Sequence, residues 1–265
     1  MIRARNRIIA CIILMAALGP LMLRTTGAQQ STSDYNAFKS RLQWTDFKPL
    51  FISHETFTSG PALKGSSLLM LRGDWQKALK AWPDISYQPV MAFHFDQTHD
   101  AFLIQSPSLL NGTNVNLLVF DSEGRLTASE VVAGDFGDEG NYTTTFGWIR
   151  DLNNDRQLDL LLRVQTTRLS EDSSRKEYAT DMLSSRIWNK TSFQDAPLKD
   201  SERLKLETDQ DVGAFRLESI RRWDADPRFR QAAILTYEEW FRTYPRNSHA
   251  AEVQRRIQEL RAVKP

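Results

Sequence analysis

The sequence holds a single cysteine, Cys11, within an N-terminal apolar stretch. With no second cysteine there is no disulfide framework and no Cys-based metal site, and past residue 28 there is no thiol to act as a nucleophile. Histidine is scarce as well, with four residues in 265, and none lies in an H-E-x-x-H arrangement. No G-x-S-x-G nucleophile turn and no Gly-rich phosphate loop occurs, which removes the best-marked hydrolase and nucleotide-binding classes. Excess charge of either sign is also missing. The formal net charge is +1, and residues 1–28 contribute four arginines and no acid, so the remainder carries −3. A chain of that sign is a poor ligand for nucleic acid. The charge is unevenly spread: residues 85–195 contain 16 acids against 9 bases, and residues 216–265 contain 7 against 11. An acidic body precedes a basic tail.

What is present begins with the N-terminus. Arg3, Arg5 and Arg7 precede an apolar run over residues 8–23, and the small residues Thr26, Gly27 and Ala28 follow. This is the order of a secretory signal, with cleavage expected after Ala28. The run is shorter than the roughly 20 residues a spanning helix needs, and it contains Gly19 and Pro20. An uncleaved signal anchor is the alternative. Cys11 lies ahead of most of the apolar run, whereas a lipoprotein signal places its cysteine behind it, so lipidation is not expected. The expected location is a periplasm or the extracellular space.

The chain then divides by texture. Residues 29–84 read as short helices and loop, with one helix behind Asp34 that carries Tyr35, Phe38 and Leu42, and another from Asp74 ended by Pro83. Residues 85–200 read as short apolar runs separated by turn chemistry, giving an antiparallel β-meander of about six to eight strands. The strands are expected at "VMAFHF", "AFLIQ", "VNLLVF", "LTASEVVA", "YTTTFGWI", "LDLLLRVQ" and "MLSSRIW", with "GDFGDEGN" as a loop. The span is too short for a full propeller, so a sandwich or a propeller fragment is expected. Residues 213–265 read as a short helix followed by a helical hairpin. Asp226 caps, Pro227 takes the first position, and Phe229, Ala233, Tyr237, Phe241 and Tyr244 form an apolar stripe. Ser248 opens a second helix with Ala250, Val253, Ile257 and Leu260 on one face.

The chemistry concentrates in "WIRDLNNDRQLDLLLR". Asp151, Asn153 and Asp155 offer side-chain oxygens at alternate positions, Gln157 adds a backbone carbonyl, and Asp159 adds a closing carboxylate. Ca²⁺ takes six to eight oxygen ligands, and such a loop can curl around it. Crowded carboxylates repel one another without a cation, so occupancy would also stabilise the local fold. In the strand that follows, Leu158, Leu160 and Leu162 should point one way and Asp159, Leu161 and Arg163 the other. Without a metal, the same residues make an Asx-rich turn. Two weaker clusters occur. His94, Asp96, His99 and Asp100 in "HFDQTHD" read as a polar hairpin tip, and Asp135, Asp138 and Glu139 as a solvated turn.

The loop resembles the D-x-[DN]-x-D-G-x-x-D-L element of FG-GAP/VCBS proteins, the calcium loop of integrin α-chain propellers, through Asp151, Asn153, Asp155, Asp159 and Leu160. Trp148 stands where an aromatic is common before it, and the resemblance covers about residues 115–195. It implies that Asp151, Asn153, Asp155, Gln157 and Asp159 bind Ca²⁺. Arg156 replaces the usual Gly, at a position that takes φ > 0 and strains a residue with a Cβ by roughly 1 kcal/mol. In the tail, Ala233, Tyr237, Phe241, Tyr244, Pro245, Ser248 and Ala251 resemble one tetratricopeptide unit, over about residues 227–262. A lone unit must pack on something, either the chain's own β-domain or a partner. The function expected is that of an exported, non-catalytic calcium-binding module with a protein partner in the envelope or outside the cell. The alternatives are an inhibitor of a cell-wall hydrolase or a carboxylate-dependent hydrolase.

Overall fold

The protein is described from a computed structural model over residues 32–56, 62–64, 86–108, 112–138, 141–169 and 177–263. The secretory signal expected over residues 1–28 and the helix expected from Asp74 lie outside these residues. The first helix, α1 (Thr32–Lys39), begins two residues ahead of Asp34. Two short strands follow, β1 (Leu50–Ile52) and β2 (Leu63–Lys64). The meander proper is β3 (Ser86–His94), β4 (His99–Ser108), β5 (Gly112–Asp121), β6 (Leu126–Asp138), β7 (Asn141–Arg150), β8 (Asp159–Leu169), β9 (Glu177–Trp188) and β10 (Phe193–Ala196). Each strand pairs antiparallel with the next, in the order β10-β9-β8-β7-β6-β5-β4-β3-β2. The expected antiparallel meander is the fold observed.

One irregularity shapes it. β6 pairs with β7 only from Gly134–Thr145 to Asp138–Asn141, and the other half of β7 pairs instead with β1, Leu50 opposite Ile149 and Ile52 opposite Gly147. At the crossing a Cβ on Gly147 would lie 2.1 Å from the Val132 carbonyl oxygen, so only glycine lets the two backbones approach. Beyond this point the two halves of the meander face each other. Val90, Phe93, Leu103, Leu117 and Val119 from one half meet Ile149, Leu160, Leu162, Trp188 and Phe193 from the other in one core. Aromatic rings close the seam, with Phe95 at 5.3 Å from Trp188 and 5.8 Å from Phe193. The Glu130–Arg186 ion pair spans the same interior.

The alternation of strand side chains supplies a second apolar surface on each half. On β4 and β5, Phe102, Ile104, Leu118 and Phe120 turn outward and are covered by Tyr35, Phe38 and Leu42 of and after α1. On β7 and β8, Phe146, Trp148 and Leu161 turn outward and are covered by the C-terminal helices, while Leu160 and Leu162 face the inner core as expected. These helices are α2 (Ser201–Asp224), α3 (Arg230–Thr243) and α4 (Ala250–Ala262). The apolar stripe of the α3–α4 hairpin, Ala233, Tyr237, Tyr244, Val253, Ile257 and Leu260, is buried within the chain, against α2 and the sheet. Arg163, 2% exposed, joins the layers through Asp181 of β9 at 2.6 Å and Asp209 of α2 at 2.5 Å. Among the described residues no helix is long and apolar enough to cross a membrane.

Four expectations need correction. β2 falls in a segment read as loop and β1 just ahead of it was not expected, because two or three residues carry no periodicity. "GDFGD" is strand rather than turn, since β6 runs on to Asp138 and Asp135 accepts the Thr113 amide at 3.0 Å. The short helix expected near residue 213 is the end of the 24-residue α2, whose buried stripe includes Thr208 and Gly213 and so does not look apolar. Phe229 is 47% exposed because a 3-10 turn, Pro227–Phe229, shifts the phase of the stripe before α3 begins.

The docking of α1 depends on Asp100. Its Oδ2 accepts the Tyr35 hydroxyl at 2.7 Å and the Lys39 ammonium at 2.6 Å, and its Oδ1 lies 2.8 Å from His94 Nδ1. Burial alone would raise the Asp100 carboxyl, but the hydrogen bonds from Lys39, Tyr35 and His94 and the Lys39 charge outweigh it and hold the pKa below its usual value. Stability from this group is therefore full above its unfolded pKa of about 3.9 and is lost as pH falls through the lower folded value. We expect Asp100→Asn to lower stability at pH 7 by about 1.5–3 kcal/mol. Melts followed by circular dichroism should also show the variant losing less than the wild type between pH 5 and pH 2.

Candidate functional site

The acidic loop closes the β7–β8 hairpin. Arg150 and Asp159 are paired across the strands, so residues 151–158 form the connection. The strand entering the loop is held to α2 by the Trp148 indole, which donates to Asp211 at 2.7 Å, and by Arg150, 3.0 Å from Glu207. The loop is thus presented by a fixed hairpin end.

Within it, Asx turns aim the carboxylates. Asp151 Oδ1 accepts the Asn154 amide at 2.7 Å, and Oδ2 accepts that of Arg156 at 2.8 Å. Asn153 Oδ1 accepts the Asp155 amide at 3.0 Å, and Asp155 Oδ1 accepts the Gln157 amide at 2.8 Å. The tight turn requires left-handed backbone at Asn154, φ 64°, and at Arg156, φ 68°. Asparagine tolerates that region and arginine is strained in it, by roughly 1 kcal/mol. The conformation expected of the glycine position is therefore retained in its absence.

Asp159 differs from the other two acids because it is fully buried. Its Oδ2 accepts the Leu152 amide at 2.9 Å and its Oδ1 accepts the Trp188 amide at 2.9 Å. One carboxylate therefore ties the start of the loop to the end of β9. Burial raises its pKa; the two amides oppose that rise, and the Asp155 and Asp151 charges add to it. No basic side chain pairs with it among the described residues.

The three carboxylates converge, with one oxygen each from Asp151, Asp155 and Asp159 all within 4.8 Å of one another. The donor set is entirely oxygen, the ligand type that hard cations take. Asn153 lies in the same loop, and its amide nitrogen donates to Asp155 at 2.9 Å. The side-chain oxygen of Gln157 is buried and has no hydrogen-bond partner.

The structure separates the other expected cluster into two pairs. His94 turns to Asp100 on the α1 side, whereas His99 turns inward and places Nδ1 2.9 Å from Asp96. Asp96 Oδ2 also accepts the Trp188 indole at 3.2 Å, and the Trp188 ring lies 5.3 Å from that of His99. Trp188 consequently contacts Asp159 through its backbone and Asp96 through its side chain. Sequence reasoning missed Trp188. Its position after "MLSSRI" marks it as a strand residue, but its two partners are 29 and 92 residues away. A groove between α2, α3 and α4 is lined by groups that already pair, Arg221 with Glu252 and Arg256 with Asp224.

No family model, no curated protein and no solved structure matches the chain.

Removing Asp159 leaves the buried Trp188 amide and the Leu152 amide without acceptors. We expect Asp159→Ala to cost about 2–4 kcal/mol, from one or two orphaned donors. Asp155 is exposed, and Asp155→Ala should cost under ~1 kcal/mol in the presence of EDTA. Urea denaturation of the two variants side by side distinguishes the roles.

Proposed function

We propose that the chain is an exported, non-catalytic calcium-binding β-domain protein that acts as a binding module in the cell envelope or outside the cell. The observation that carries this reading is the convergence of Asp151, Asp155 and Asp159 within 4.8 Å, on a loop in which Asn153 and Gln157 also carry oxygen. Asp151 and Asp155 would bind the ion from the loop and Asp159 from the strand, with Asn153 and the Gln157 carbonyl completing the protein's share of the shell. The bound cation would offset the mutual repulsion of the three charges and the burial of Asp159. Its role is structural. It fixes the end of the β7–β8 hairpin, and through Asp159 it fixes Trp188 at the seam between the two halves of the meander.

The FG-GAP/VCBS resemblance supports the same residues as ligands, and the left-handed backbone at Arg156 fits the turn that such loops use. The secretory pattern of residues 1–28 supports export. The tetratricopeptide-like stripe of the α3–α4 hairpin is buried within the chain, so the module would meet a protein partner through other surfaces.

The test is a thermal melt of the protein in excess EDTA and then in millimolar Ca²⁺, with Asp151→Ala alongside. Ligand at about 100 times its Kd adds roughly 2.7 kcal/mol, several degrees of melting temperature. We expect that rise in the wild type and none in the variant. Equal melts in EDTA and Ca²⁺ would remove the calcium reading.

A further inference from the structure

We draw no further inference here: the strongest candidate, the groove between α2, α3 and α4 with the buried Asp224 in its lining, is lined by charged groups that already pair with one another, and nothing in the structure shows what would occupy it.

Discussion

The buried carboxylate of Asp159 is the constraint on which this structure turns. It lies at the first residue of β8, where strand alternation sends its neighbours Leu160 and Leu161 into two different cores. Its two oxygens accept amides from Leu152 and Trp188, so the loop, β8 and β9 share one anchor. Trp188 then extends the connection across the seam to Asp96 and His99. If the anchor is lost, the hairpin end, the last long strand and the contact between the two halves of the meander all lose their reference point.

An anion in that position needs a reason, because desolvation of a carboxylate is costly and hydrogen bonds recover only part of the cost. Two amide donors stabilise Asp159, yet the net effect of its surroundings is still to disfavour the charge, and the two carboxylates nearest to it add to the difficulty. The proposed cation resolves this with one ion that meets all three acids. The same physics runs in the opposite direction on the other side of the molecule. There Asp100 is half-surrounded by donors, one of them the Lys39 ammonium, and its charged form is favoured. One carboxylate docks a helix unaided, and the other asks for a counter-ion.

Much of this was legible in the sequence because the signals were local. The strands from β3 to β9 follow apolar runs, the loop carboxylates stand at alternate positions, and the tail helices show their stripe in Ala233, Tyr237, Val253 and Ile257. What was not legible depends on partners distant in sequence. β1 is three residues long and exists because β6 diverges from β7 at Gly147. α2 reads as polar because Thr208 and Asp224 sit on its buried side, where Arg163 and Tyr237 reach them. Trp188 looks like any strand residue until the sheet folds over and brings Asp96 to its indole.

The central claim is that charge at Asp159 is balanced by a cation and that this balance sets the order of the seam. Amide hydrogen exchange at Trp188 measures it most directly, because that amide donates to Asp159. The account predicts slower exchange at Trp188 and Leu152 in Ca²⁺ than in EDTA, with Val253 in the helical layer unchanged. Identical exchange at Trp188 in the two conditions would contradict it.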